Sequence, residues 1–242
     1  MTFGSLSATR TDTFLPPCIA WTQKHMAAEA KLKKAVEHHR EGRLDAAEAA
    51  YRGFLAKNSN DFNALNLLGT LLLQREDYAE AEGVLRRAVQ ANPRSADAQM
   101  RLGIANRGLG NTGRAEFCYR SALDLDPKLA DAHFNYAGLL ASLGRGDEAL
   151  RAYLACVEAD PRHAEAHLNL GYLLLQHERF EPAAAHFQQA LQLRPSEPAL
   201  IGLGHAAKGG GQLEEARQIF AKALELNPAN EVAKKNLAEL SS

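Results

Sequence analysis

ADAHFNYAGLLASLGRGDEALRAYLACVEADP, residues 130–161, reads as two amphipathic helices joined by a Gly-rich turn and closed by Asp-Pro. The stretch AEAHLNLGYLLLQHERFEPAAAHFQQALQLRP, residues 164–195, repeats its plan 34 residues later. One small-residue slot runs through Ala35, Gly69, Gly103, Ala137, Gly171 and Gly204, in steps of 34, 34, 34, 34 and 33. A second keeps the same steps through Ala47, Ala81, Ala115, Ala149, Ala183 and Ala216. Prolines 93, 127, 161, 195 and 228 close the units, with Ser59 where the first would stand. A fixed period of this size means a stack of like units, each burying a face against the next.

Leu68-Gly69, Leu102-Gly103, Leu170-Gly171 and Leu203-Gly204 form a recurrent pair, followed by the aromatic series Tyr51, Tyr119, Tyr153, Phe187 and Phe220, with Leu85 substituting once. Together with the alanines and prolines, these residues resemble the tetratricopeptide repeat family over about residues 28–230. The resemblance implies an all-α, right-handed α-solenoid of antiparallel helix pairs, with repeats at 28–61, 62–95, 96–129, 130–163, 164–196 and 197–230. Residues 1–27, rich in Ser, Thr and Pro, read as a disordered leader, although Ile19 and Trp21 could lie on the first helix, and Met26 could be the natural start. Residues 231–242 read as a capping helix, with Val232, Leu237 and Leu240 on its apolar side. The hairpin turns fall at Gly42, Asp77, Gly110-Asn111, Gly144-Arg145-Gly146 and Glu178-Arg179, and at the run Lys208-Gly209-Gly210-Gly211.

Composition narrows the function classes. With 28 basic and 29 acidic residues and a net charge of −1, no electrostatic footprint for nucleic acid exists. Three scattered cysteines form neither a disulfide framework nor a zinc motif and suit a reducing compartment, so the expected location is cytoplasmic. No apolar run approaches the roughly 18 to 20 residues of a membrane span. The N-terminus lacks the basic start and continuous apolar core of a signal peptide. Leu15 and Cys18 have lipoprotein-like spacing, but Pro16-Pro17 occupy the positions that processing needs small.

Motifs for chemistry dissolve into the repeat. Gly108-x-Gly110-x-x-Gly113 matches the dinucleotide pattern but lies between two helices, where that motif requires a strand before it. His163 and His167 have the i,i+4 spacing of a metal pair, yet His133 and His167 share one repeat slot and no third ligand is placed. Asp97, Asp131 and Glu165 open successive first helices, where negative charge favours the helix dipole. The expectation is therefore no enzyme, no metal and no cofactor.

What remains is the concave face, lined in this family by the first helices. The resemblance places Asn66, Thr70, Met100, Arg101, Ile104, Phe134, Asn135, Leu168, Asn169, Tyr172 and His205 there, with Met100, Phe134, Leu168 and Tyr172 as apolar pockets for a peptide in extended form. Asn135 and Asn169 resemble the asparagine ladder by which the repeats of O-linked N-acetylglucosamine transferase grip a peptide backbone. An amide side chain matches a peptide group in both donor and acceptor. The carboxylate clamp of chaperone adaptors fits less well, since Leu67 stands where that motif has asparagine. The residues thus point to a scaffold, favoured as a monomer, for a protein or peptide partner; the alternative is the recruiting module of a glycosyltransferase-like enzyme whose catalytic domain is elsewhere.

Overall fold

The computed structural model describes the backbone of residues 17–241 and the side chains of residues 29–241. The described residues form thirteen helices and no strand. Six hairpins follow in order: α1 (Pro17–Arg40) with α2 (Leu44–Leu55), α3 (Phe62–Gln74) with α4 (Tyr78–Ala91), and α5 (Ala96–Gly108) with α6 (Thr112–Leu125). Then come α7 (Ala130–Ser142) with α8 (Gly146–Ala159), α9 (Ala164–Gln176) with α10 (Phe180–Leu193), and α11 (Glu197–Gly209) with α12 (Leu213–Leu226). Helix α13 (Glu231–Glu239) follows alone. Each helix packs on its hairpin mate and on the helix after it.

Every hairpin turns on one left-handed residue: Gly42, Glu76, Gly110, Gly144, Glu178 and Gly211, with φ from 56° to 78°. The next amide donates to a carbonyl five residues back, as in Arg145 N to Leu140 O at 3.0 Å and Asn111 N to Asn106 O at 2.8 Å. This is the bond pattern that closes a helix end when one residue turns left-handed. First helices open on side-chain caps at Asp61, Ser95 and His163, each accepting from the backbone N–H three residues on. A cap satisfies a helix-end donor that otherwise faces only water.

The recurrent small slot and the recurrent aromatic meet. A Cβ on Gly103 would lie 2.6 Å from the Tyr119 ring, on Gly171 2.8 Å from Phe187, and on Gly204 2.7 Å from Phe220. Gly69 holds the Leu85 side chain in the same way. Tyr51, Leu85, Tyr119, Phe187 and Phe220 are fully buried. Phe187 also meets Gly202 of the following first helix, so one ring fixes both the hairpin and the junction to the next repeat.

Two expectations need correction. Helix α1 begins at Pro17, so residues 17–27 of the expected disordered leader are helical, proline being well suited to a first helical turn; residues 1–16 lie outside the described residues. On α13, Val232 points outward at 46% exposure, while Ala233 and Asn236 are buried, with Leu237 and Leu240 packed on the core edge. Asn236 can be buried because its amide is satisfied: it accepts from Lys208 Nζ at 2.9 Å and donates to Val232 O at 2.9 Å. Lys208 also bonds Glu239 at 2.6 Å, so a polar clasp accompanies the apolar contact.

Gly171→Leu should destabilise by about 1–3 kcal/mol through overpacking against Phe187, and calorimetry should resolve two transitions as the halves uncouple. A single unshifted transition would contradict this packing account. At the turns the sign should depend on the residue present. Gly144→Ala should cost about 1 kcal/mol, whereas Glu178→Gly should be neutral or stabilising, because only the first places a Cβ in left-handed backbone. Urea midpoints of the two variants check it.

Candidate functional site

The first helices carry the expected groove residues, but they differ in what they are free to do. At the N-terminal end, Asn66 and Arg101 face each other, with Nη1 to Oδ1 at 3.4 Å, and Arg101 lies 3.5 Å from Asp97. The Thr70 hydroxyl donates back to Asn66 O at 2.9 Å. At the C-terminal end, His205 Nε2 lies 3.2 Å from Asn236 Nδ2, and its ring packs edge-on against Phe220. Asn66, Thr70, Arg101 and His205 are thus engaged from within, while a pocket of about 380 Å³ between α1 and α3 is lined by Lys33, Val36 and Leu67 among others.

The apolar pocket-formers are a further correction. Met100 is only 5% exposed and belongs to a core cluster with Tyr119, Ala122, Ala132 and Leu139. Phe134, half-buried, packs on Tyr153 and His163 with ring centroids 5.9 and 4.6 Å apart, and Leu168 packs on the same core. Ile104 packs beside Met100. Met100 is therefore a core residue, while Phe134, Leu168 and Ile104 lie partly buried against the core and keep part of their surface open.

Between α7 and α9 the picture changes. These two make the least contact of any successive first helices, and a pocket of about 390 Å³ opens there, lined among others by Arg107, Gly138, Tyr153, Asn169, Tyr172 and Gln176. Gly138 makes the space: the equivalent residues are Val36, Thr70, Ile104, Tyr172 and His205. The Arg107 guanidinium lies over this bare backbone, 3.1 Å from where a Cβ would sit, and makes no ion pair among the described residues. Its charge opposes the rise in Tyr119 and Tyr153 pKa that burial causes. Asn169 Nδ2 donates to the Tyr153 hydroxyl at 3.3 Å, and the Tyr172 hydroxyl donates to Pro198 O at 2.6 Å, which holds its ring against Phe187. Asn135, one repeat earlier, instead donates to Asp131 O of its own helix at 2.7 Å. The two asparagines share a slot but not a role. Arg107 shares a repeat slot with Lys208 and could be read onto this face from the period, whereas Gly138 was not singled out; its signal was an empty place in an otherwise filled series.

The glycine motif has a packing explanation. Gly108 faces the Tyr78 ring, Gly110 is the left-handed turn, and Gly113 faces open space. Gly209 receives Phe180 as Gly108 receives Tyr78. Among the described residues no group of three or more His, Cys, Asp or Glu is placed to hold a metal ion, and no helix is long and apolar enough to cross a membrane.

Stacked helix hairpins with an open inner face define a helical-repeat scaffold. Sequence profiles of the tetratricopeptide repeat match residues 32–96, 66–128, 100–155, 139–198 and 198–230, and the chain belongs to that family. No curated protein matches the sequence. Among solved structures, PilF of Pseudomonas aeruginosa superposes with a TM-score of 0.79 at 15% identity, over 90% of this chain and 99% of that one. PilW, a type IV pilus biogenesis factor, gives 0.75 at 18% identity over 87% and 98%. YrrB, a repeat protein described as having an unusual peptide-binding site, gives 0.64 at 19% identity over 77% and 96%. At these identities the likeness is one of fold.

The two histidines with metal-pair spacing do separate work. His163 caps α9, its Nδ1 accepting from Ala166 N at 3.1 Å. His167, buried, faces Pro161 O through Nε2 at 3.1 Å, so that nitrogen carries the proton, and its Nδ1 then accepts from His186 Nδ1 at 3.0 Å. Burial first, and the neighbouring His167 second, hold His186 below its ordinary value of 6.5. The folded state therefore binds fewer protons than the unfolded chain. The resulting stability is complete above about pH 6.5 and is lost as pH falls toward the folded value. His205, lowered by burial and then by Lys208, acts with the same sign. The melting temperature should fall between about pH 7 and pH 5, and His186→Gln should flatten the fall. An identical pH profile in that variant would refute the assignment.

Proposed function

We propose that the chain is a non-enzymatic scaffold that holds an extended segment of a partner protein in the groove of its first helices, centred on the gap between α7 and α9. One observation carries the reading: a missing side chain at Gly138 leaves space between α7 and α9 under a guanidinium that has no carboxylate partner among the described residues. Asn169 and Gln176 supply amides for a peptide backbone, and Tyr172 supplies a flat apolar wall. An acidic group of the bound segment would complete Arg107. The peptide-binding site described for YrrB supports this general mode. Residues 28–230 act in this reading as six repeats and residues 231–242 as the solvating cap. The free, buried Cys118 and Cys156 favour a cytoplasmic setting.

The test is selection of a random twelve-residue peptide library on the full chain. Enriched peptides should carry Asp or Glu and should bind Gly138→Val at least tenfold more weakly, because a branched side chain would occupy the space now left under Arg107. Arg107→Glu should weaken them in a salt-dependent manner, and Gln188→Ala on α10 should leave them unchanged. Equal affinity for Gly138→Val and the parent would overturn the groove reading.

A further inference from the structure

The side of the array formed by second helices carries its own pocket, about 410 Å³, between α4 and α6 and floored by α5. Its walls are Val89, Leu102, Cys118 and Phe117, with Asn106 in the floor. Two residues here depart from the repeat. Phe117 is 69% exposed, whereas the same place on other second helices holds Ala49, Gly83, Arg151, Ala185 and Gln218. Packing therefore does not call for a large apolar side chain there. Asn106, 2% exposed, occupies a core slot that holds His38 in the first repeat and Leu72, Leu140, Leu174 and Ala207 in the others. Its Nδ2 donates to Leu102 O at 2.9 Å, but its Oδ1 is buried without any partner. A buried acceptor left unpaired costs stability that leucine would not, and native proteins keep few of them.

The rim adds charge. Arg114 makes no ion pair among the described residues, and Arg86 reaches Glu82 only at 3.7 Å. The mouth is thus net positive around an apolar interior that holds one unsatisfied acceptor.

We propose that this pocket is a second docking site, separate from the groove, for a partner segment that presents a tryptophan beside an acidic residue. The indole face stacks against Phe117 and fills the space toward Val89 and Cys118. Its N–H supplies the donor that Asn106 Oδ1 lacks, and the neighbouring carboxylate meets Arg114. Phenylalanine would leave the acceptor unpaired, and a basic neighbour would meet like charge.

The probe is N-acetyl-tryptophyl-glutamate amide, titrated into the full chain and followed by NMR. Saturable shifts should map to Phe117 and to the Asn106 side-chain amide, and Phe117→Ser and Arg114→Glu should weaken binding at least tenfold. Asn106→Leu, which installs the residue of three sister repeats, should weaken the tryptophan probe roughly three- to tenfold. The same variant should bind the naphthylalanine analogue, which has no ring N–H, as well as the parent does. Gly138→Val should leave both probes unaffected, so failure here is distinguishable from failure of the groove. No saturable shift, shifts centred on Arg107 and Gln176, or undiminished binding by Phe117→Ser would overturn the proposal.

Discussion

A ring lying on a bare stretch of helix is the contact on which the rest of this structure depends. Where Gly103 meets Tyr119 or Gly171 meets Phe187, a single methyl group would collide with the ring, so the two helices approach only because one has no side chain there. That approach brings the Leu and Ala faces of the hairpin into close packing, which stabilises far more than the ring alone. Since Phe187 also presses on Gly202, the same contact propagates from one hairpin to the next. The stack is thus cooperative locally, with each repeat in contact chiefly with its neighbours.

Polar groups are arranged around this apolar spine so that most of them answer to each other. Arg145 bonds both Glu116 and Glu148, Arg75 bonds Glu48 and Asp45, and Lys208 bonds Asn236 and Glu239. Such pairs are partly exposed and contribute modestly to stability. Arg107 and Arg114 make no such pair among the described residues; what sets them apart from other unpaired cations is that each lines a pocket, one in the groove and one on the outer side.

The period, the hairpins, their turns and the buried aromatics were all legible in the sequence, because each follows from a residue type with one steric role: glycine under a ring, proline after a helix, a turn at a fixed offset. Two of the six turn residues, Glu76 and Glu178, are not glycine; register alone located Glu178 and placed the other turn one residue late, at Asp77. The site was less legible. Met100 occupies the same slot as Phe134 and Leu168, yet it alone of the three is buried, because burial depends on what the neighbouring helices bring against that slot. No property of methionine itself records that. Gly138, by contrast, is informative only as a missing side chain, and a motif search looks for groups that are present. The helical start at Pro17 was hidden for another reason: Ser, Thr and Pro content describes what residues 1–27 prefer on average, whereas helix α1 continues into them from a packed end.

The thin contact between α7 and α9 gives the array a mechanical character. A stack joined by equally tight seams bends as a uniform rod, whereas thin seams, here α7–α9 and, near the N-terminal end, α1–α3, take up more of any bend. Opening at the α7–α9 seam would turn the helices on either side as two arms about the fourth hairpin. A guest wedged at Gly138 would act on the shortest lever of the whole assembly, and a small change of width there would sweep the distant ends through a much larger arc.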